Sequence, residues 1–179
     1  NCFARRLDKM VNFVGKNGMD IVGLSEERLK LWMKLGFVTD FASIYKLYQH
    51  RQELEFLAGF GKSSISNILD SIEVGRTRRL ENIIVAIGIP GVGKSSAKTI
   101  AKHCMAEASS DNPLYLFIDY AMNNYDWSQL EDFGKITSDS INRYVKENLS
   151  EIYPLVDILV IDDDEASVGQ NLFGGKSFC

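Results

Sequence analysis

The chain has 179 residues, of which 45% are hydrophobic and 25% are charged, so it can bury a core and is not expected to be disordered. No apolar run approaches the roughly 20 residues needed to cross a bilayer, and the N-terminus lacks the basic-then-apolar order of a signal peptide. We therefore expect no membrane association and a cytoplasmic location. The three cysteines, at positions 2, 104 and 179, are odd in number and far apart, which disfavours a disulfide framework.

Charge is unevenly distributed along the chain, whose formal net charge is -4. Residues 147–179 contain seven acidic residues and one basic residue, which leaves 19 basic and 17 acidic residues in the first 146. Between residues 76 and 102, six basic residues stand against the single acid Glu81, and they are Arg76, Arg78, Arg79, Lys94, Lys98 and Lys102. This concentration indicates a surface for an anionic partner, although a solvated helix face explains any one of these residues equally well.

Four short segments repeat one pattern, which consists of an apolar residue, any residue, glycine, another apolar residue and a second glycine. In chain order they are Ile21–Ser25, Leu57–Gly61, Ile89–Gly93 and Leu130–Gly134, and we call them hairpins 1 to 4. Hairpin 1 has Ser25 in place of the second glycine, and hairpin 4 has Asp132 in place of the first.

Helix-like runs lie before and after these hairpins. The clearest runs are Phe41–Tyr48, Lys62–Ile72, Leu80–Ile87 and Lys94–His103. Glycines between two helical patterns allow positive φ angles and hence tight turns, and few alternating β-branched runs interrupt the helical periodicity. The repeat therefore predicts four tandem helix-hairpin-helix motifs in a compact all-α domain.

The hairpins are candidates for binding phosphate groups. Glycines remove side-chain bulk, so the backbone N–H groups at the start of the second helix stay accessible at the positive end of the helix dipole. A lysine directly after the second glycine adds charge, and a serine hydroxyl adds a hydrogen bond. The residues predicted to bind DNA in this way are Gly23, Gly59, Gly61, Lys62, Ser63, Gly91, Gly93, Lys94, Ser95, Gly134 and Lys135.

Hairpins 2 and 3 support this prediction more strongly than the outer two, because each of the outer two lacks one glycine. For hairpins 1 and 4, a purely structural pairing of helices is an equal alternative. Hairpins of this kind contact the sugar-phosphate backbone and can reach both strands across the minor groove. They would bind duplex DNA without sequence specificity and with a steep salt dependence.

A competing interpretation concerns residues 88–95, which also match the P-loop pattern G-x-x-x-x-G-K-[ST] after the apolar stretch 83–87. A P-loop nucleotide-binding protein would need that stretch to be a strand of a parallel sheet. The segment Gly59–Ser64 repeats the hairpin without the first P-loop glycine, since position 56 is Phe56. The repetition and the helical surroundings favour the hairpin.

Five single residues outside the hairpins also carry predictions. Cys104 is predicted to be a buried helix residue. His50 and His103 lack partners at ligand spacing and are predicted to be surface or capping residues. Trp32 and Trp127 lie in helical patterns and are predicted to belong to the core.

Four segments resemble bacterial NAD-dependent DNA ligases, in the same order along the chain. Asn1–Arg5 (NCFAR) resembles the end of the four-cysteine zinc finger of that family, and Met19–Leu24 (MDIVGL) the start of its helix-hairpin-helix domain. Ile87–Lys98 (IGIPGVGKSSAK) resembles the third repeat of that domain, and Phe173–Phe178 (FGGKSF) the first strand of the BRCT module. Together these motifs cover essentially the whole chain.

The resemblance implies domain boundaries and a function. It implies a zinc-finger end with a connecting helix at residues 1–18, a DNA-binding domain at 19–150, an acidic linker at 151–171 and the start of a BRCT domain at 172–179. It also implies that the full-length protein is a monomer that seals nicked duplex DNA in replication and repair, with NAD, zinc and magnesium as cofactors. This fragment has none of the catalytic residues, so we expect it to bind no cofactor and to be inactive alone.

The same resemblance makes Cys2 the last of four zinc ligands in the full-length protein. The chain departs from the family at Phe3, where proline is usual, and at Gly91, where histidine is common. The acidic tail from Asp157 to Glu165 is also unlike the usual linker of the family, and for residues 162–165 a solvated linker is favoured over a cation site. The alternative family is a helix-hairpin-helix module of a repair nuclease or junction-binding protein, which the zinc-finger and BRCT-like ends disfavour.

Overall fold

The structure, a computed structural model, describes residues 2–57 and 61–163. Its α-helices are α1 (Cys2–Val14), α2 (Glu26–Lys34), α3 (Phe41–Ile44), α4 (Arg51–Phe56), α5 (Lys62–Val74), α6 (Leu80–Ala86), α7 (Lys94–Glu107), α8 (Pro113–Met122), α9 (Lys135–Glu147), α10 (Leu149–Ile152) and α11 (Leu155–Ile158). Short 3-10 helices cover Leu47–His50 and Trp127–Gln129, and two-residue strands are β1 (Thr77–Arg78) and β2 (Val160–Ile161). The predicted all-α class is confirmed.

The helices follow from local sequence. The buried residues of α1 recur at helical spacing on one face, and they are Leu7, Met10, Phe13 and Val14. α8 begins with Pro113, a residue suited to the first helical position, and the Asn112 side chain accepts hydrogen bonds from the first backbone N–H groups of that helix. Apolar periodicity and capping thus agree on these elements.

The apolar stretch at residues 83–87 is helical in the structure. It lies in α6 and its C-cap residue Ile87, and Gly88 follows with φ +78°. A P-loop requires a strand at this point. The competing nucleotide-binding interpretation therefore lacks the element that it needs.

One hydrophobic cluster joins the helices of the described residues. Phe13 of α1 stacks on Phe41 of α3, with ring centroids 4.2 Å apart, and α1 also packs against α2 and α6. Trp32 and Trp127 are fully buried, which confirms both as core residues. Cys104 is buried as predicted.

The two short strands connect distant parts of the chain. β1 and β2 pair in parallel, with Thr77 opposite Val160 and Arg78 opposite Ile161. The end of the described chain is thereby held beside the segment that leads into α6.

The folded part extends past residue 150. Ile152 of α10 and Leu155 of α11 are fully buried, and both helices pack against α3. The segment predicted as an acidic linker, 151–171, therefore begins inside the folded part, because its apolar residues fill core positions. Residues 164–179, which include the predicted BRCT-like strand, lie outside the described residues.

None of the helices in residues 2–57 and 61–163 is both long enough and apolar enough to cross a membrane.

Candidate nucleic-acid interface

Hairpins 1, 3 and 4 share one backbone conformation at the first glycine position. The φ angle there is +98° at Gly23, +83° at Gly91 and +67° at Asp132. Aspartate tolerates this left-handed region better than most residues, so hairpin 4 keeps the turn without its first glycine. The equivalent residue of hairpin 2, Gly59, lies outside the described residues.

The second glycine position is the N-cap of the following helix in all four hairpins. Gly61, Gly93 and Gly134 have an extended backbone there and lack a side-chain capping hydrogen bond. Ser25 occupies the same position of hairpin 1 with φ -68° and ψ 163°. Each repeat therefore places a helix N-terminus directly after its second glycine position.

Hairpin 3 presents an open helix N-terminus. Gly91, Gly93, Lys94 and Ser95 are all exposed, and a Cβ atom added at either glycine would meet no heavy atom within 4 Å. The first backbone N–H groups of α7 have no partner within the helix and lie at the positive end of its dipole. Such an end can bind a phosphate, with the Lys94 ammonium and the Ser95 hydroxyl beside it.

Hairpin 2 has the same open terminus. Gly61, Lys62 and Ser63 are exposed, and a Cβ atom added at Gly61 would meet nothing within 4 Å. The order glycine, lysine, serine is the same as in hairpin 3. Hairpins 2 and 3 therefore offer the same set of groups to an anion.

Hairpin 4 is open but has different side chains. Gly134 and Lys135 are exposed, with nothing within 4 Å of a Cβ atom added at the glycine. The next residue is Ile136, which stands where hairpins 2 and 3 have serine. Glu131 and Asp132 are exposed just before the turn. These two carboxylates weaken the attraction of hairpin 4 for an anion.

Hairpin 1 has a closed helix N-terminus. The Ser25 hydroxyl accepts a 3.3 Å hydrogen bond from the backbone N–H of Arg28, and Glu26 and Glu27 occupy the first turn of α2. The serine cap uses an N–H group that a phosphate would need, and the two carboxylates repel an anion while matching the helix dipole. This geometry supports the structural alternative for hairpin 1.

Gly23 has a packing role. A Cβ atom there would lie 2.8 Å from Cγ1 of Ile68, so only glycine allows α5 to approach this closely. The backbone N–H of Val22 donates to Oγ of Ser71 at 2.8 Å, which joins hairpin 1 to the same helix. Gly23 was predicted as a DNA-binding residue, and this close approach accounts for it without a phosphate.

Hairpins 3 and 4 are also joined to each other. The hydroxyl of Tyr144 in α9 donates to the carbonyl oxygen of Ile87 at 2.6 Å, and Oγ of Ser140 donates to the carbonyl oxygen of Pro90 at 2.9 Å. Burial, with a smaller contribution from Glu151, raises the pKa of Tyr144 to about 12. The hydroxyl therefore remains a donor at neutral pH.

The basic residues between positions 76 and 102 divide into two groups. The arginines are engaged in the fold: Arg76 Nε lies 2.9 Å from Oε2 of Glu73, and Arg78 Nε donates to the carbonyl oxygen of Gly18 at 2.9 Å. Arg79 forms an ion pair with Glu81 of α6. Half of the basic residues in this stretch are therefore engaged in contacts within the folded chain.

The lysines of this stretch form a line along one helix. Lys94, Lys98 and Lys102 are exposed at four-residue intervals on α7, so they share one face that begins at hairpin 3. At the far end of that face, Asp162 and Asp163 help to line a groove of about 480 Å³ together with Lys98 and Lys102. The hairpin end of the line is the part with the higher positive charge.

His103 differs from its prediction as a surface or capping residue. Its Nε2 lies 2.7 Å from the hydroxyl of Tyr125, and its ring packs near Trp127 and Tyr120. The packing of α7 against α8 brings these aromatic residues together. His50 is the N-cap residue of α4, although its side chain makes no capping hydrogen bond.

Cys2 is the first residue of α1 and is exposed. Within the part of the chain that the structure describes, no group of three or more His, Cys, Asp or Glu side chains could hold a metal ion. Zinc needs a nearly complete tetrahedral set of ligands. The described residues therefore do not form a zinc site by themselves, and the zinc-binding role of Cys2 stays a prediction.

Comparison with known proteins identifies relatives of the chain. No protein-family model matches it. A DNA ligase from Rickettsia canadensis is 30% identical over 183 residues, which cover 98% of this chain and 27% of that protein. A DNA ligase from Persephonella marina is 30% identical over 184 residues, covering 99% of this chain and 24% of that protein. A DNA ligase from Onion yellows phytoplasma is 34% identical over 103 residues, which cover 58% of this chain and 15% of that protein.

The chain spans about a quarter of the length of the two relatives that it matches throughout. The match to them runs along nearly all of the chain, including the four hairpins. The resemblance to DNA ligases is therefore confirmed, and the chain is related over nearly its whole length to one segment of these proteins.

Proposed function

We propose that this segment binds the sugar-phosphate backbone of nicked duplex DNA through helix-hairpin-helix motifs, as part of an NAD-dependent ligase that seals nicks in replication and repair. The observation that supports this most is the set of open helix N-termini at hairpins 2, 3 and 4. Each begins with an exposed lysine, and they are Lys62, Lys94 and Lys135.

A lysine in the first turn of a helix is unfavourable by itself. The helix dipole disfavours a cation there by about 0.3–1 kcal/mol, and α5, α7 and α9 all have one. A bound phosphate reverses the sign of this effect, because it interacts favourably with the lysine and with the free N–H groups at the same time. Three helices with the same unfavourable residue at the same position point to an anionic ligand.

The partner is duplex DNA because the phosphate sites are repeated along the chain and those of hairpins 3 and 4 are fixed relative to each other. Tyr144 and Ser140 fix hairpin 4 against hairpin 3, so the phosphate sites keep a constant separation, as a regular duplex requires. Backbone N–H groups and lysines contact phosphates without distinguishing bases, so binding is independent of sequence. Adenylation by NAD and strand joining, with zinc and magnesium, would take place outside this chain, whose contribution is positioning.

The test is fluorescence-anisotropy binding of the 179-residue chain to nicked duplex DNA over a salt series. Log K falls with log salt by about 0.9 per phosphate contact, so Lys62→Ala/Lys94→Ala should make this negative slope shallower by about 1.8. The matched control is Lys30→Ala/Lys46→Ala, which removes the same charge from exposed positions away from the open termini.

Equal slopes for the two double variants would contradict binding at the hairpins, because only net charge would then matter. Radiolabelled ATP is tested in parallel. Magnesium-dependent ATP binding without DNA binding would instead favour the P-loop interpretation of residues 88–95.

A further inference from the structure

Hairpin 4 exposes an apolar side chain at its tip. Ile136, the second residue of α9, is 87% exposed, whereas serine occupies this position in hairpins 2 and 3. An isoleucine this exposed buries little surface, and a β-branched residue is slightly unfavourable in a helix. The folded chain therefore gains little stability from isoleucine at this position.

Other hairpins also have exposed apolar residues near their tips. Val22 in hairpin 1 is 70% exposed, and Phe56, just before hairpin 2, is 89% exposed. Pro90 of hairpin 3 is exposed as well. Of these four exposed residues, Ile136 alone lies within the first turn of a helix whose N-terminus is open.

The charges around Ile136 indicate a weak ionic contact. Lys135 lies next to it, but Glu131 and Asp132 are exposed on the other side of the turn and oppose a phosphate. Hairpin 3 has no acid in the corresponding stretch 88–95. Hairpin 4 therefore has less net attraction for the DNA backbone, and it has an apolar group that hairpin 3 lacks.

We propose that Ile136 contacts the sugars and base edges of the minor groove, so that hairpin 4 adds an apolar contact to a weaker ionic one, whereas hairpins 2 and 3 contribute ionic contact alone. This inference rests on the proposed function. Apolar side chains at the ends of minor-groove-binding elements are a recurrent way of contacting DNA. Ile136 is the second residue of α9 and follows Lys135 directly, so it lies at the same open helix N-terminus that would bind a phosphate.

The surroundings of Ile136 favour DNA over a protein partner. The core of a protein interface needs a contiguous apolar patch. Ile136 instead has exposed charged residues before and after it in α9, Lys135 and Asp139. A single apolar group flanked by polar ones fits the narrow floor of a minor groove.

The experiment separates apolar from ionic contact by the form of the salt dependence. In Ile136→Ser, which introduces the residue of hairpins 2 and 3, we expect affinity for nicked duplex to fall roughly tenfold at every salt concentration, with the slope of log K against log salt unchanged. Lys135→Ala should instead make the negative slope shallower, by at most about 0.9.

The matched control is Val74→Ser, which removes another exposed β-branched side chain, 78% exposed, at the C-terminal end of α5. We expect it to bind DNA as the wild type does. Because both positions are exposed, circular dichroism should show unchanged folding in both variants.

Wild-type affinity in Ile136→Ser, with the Lys62→Ala/Lys94→Ala variant still weakened, would overturn this inference and leave the proposed function in place. A changed slope in Ile136→Ser would also overturn it. Absence of salt-sensitive DNA binding by the wild type would overturn both.

Discussion

Hairpins 1 and 3 have the same turn, but the helix N-terminus that follows is capped in hairpin 1 and open in hairpin 3. Gly23 and Gly91 both have positive φ, and a helix begins three residues after each of them. In hairpin 1 a serine hydroxyl and two glutamates satisfy the helix end from within the chain. In hairpin 3 glycine leaves that end open beside Lys94. The repeated pattern thus specifies a backbone, and the residues of the first helical turn decide whether that backbone can bind an anion.

The largest expected effect tests the packing role of hairpin 1. Gly23→Ala places a Cβ atom 2.8 Å from Ile68 at φ +98°, so we expect the free energy of unfolding to fall by about 2–4 kcal/mol through overpacking and backbone strain. Gly91→Ala has a similar φ but open space around it, so the expected loss is about 1 kcal/mol. Urea denaturation measures both values. Equal losses would contradict the packing role of Gly23.

The next effect compares the contact between hairpins 3 and 4 with that between hairpins 1 and 2. Tyr144→Phe removes the hydrogen bond to Ile87, and we expect a loss of about 1 kcal/mol in the free energy of unfolding at pH 8. The contact between hairpins 1 and 2 uses the hydroxyl of Ser71, which does not titrate. Ser71→Ala is therefore the matched variant.

The pH dependence follows from the pKa of Tyr144, which burial raises to about 12 from its ordinary value near 10. Below pH 10 the hydroxyl is protonated in both the folded and the unfolded states, so its contribution is fully present. Between pH 10 and 12 the unfolded state loses the proton and the folded state keeps it, so stability falls as pH rises. Urea denaturation from pH 8 to 11 should show a smaller decrease in Tyr144→Phe than in Ser71→Ala. Parallel decreases would refute the assignment.

The smallest expected effect converts hairpin 3 into a copy of hairpin 1. Gly93→Ser introduces a capping hydroxyl where φ is -98° and the space is open, so stability should rise by a few tenths of a kcal/mol. The hydroxyl competes with phosphate for the same N–H groups, and DNA affinity should fall by roughly two- to tenfold. Ser25→Gly should leave DNA affinity unchanged, since Glu26 and Glu27 remain. Urea denaturation and anisotropy test both variants, and tighter DNA binding by Gly93→Ser would argue against open termini as the binding sites.

Local sequence was sufficient to predict where the functional helices begin. α2, α5, α7 and α9 each start directly after the second glycine position of the repeat. Glycine and aspartate adopt positive φ for reasons internal to the residue, and extended N-caps precede helices regardless of distant contacts. The core position of Trp32 followed from helical periodicity in the same way, whereas Trp127 is buried in a three-residue 3-10 helix.

Long-range contacts accounted for the remaining differences. Arg76 and Arg78 belong to the basic surface that the sequence predicts, but Arg76 donates to the carbonyl oxygen of Tyr45 and Arg78 to that of Gly18. His103 was expected at the surface, and it packs with aromatic residues from the following helix and loop. The exposure of Ile136 at the tip of hairpin 4 was not predicted, because the helical pattern alone does not show whether an apolar residue in the first turn faces the core or solvent.

The repeated turn, the all-α class and the positions of the lysines were predictable from the sequence, because each depends on residues within one turn of the chain. The capping residue of each hairpin is local as well, but only the folded structure shows that Gly61, Gly93 and Gly134 face open space, because distant residues decide what surrounds each helix end. The folded structure also packs Gly23 against α5 and joins hairpins 3 and 4 through Tyr144. It pairs the end of the described chain, in β2, with β1. These contacts join residues far apart in the chain, and no local pattern encodes which distant side chain will fill the space.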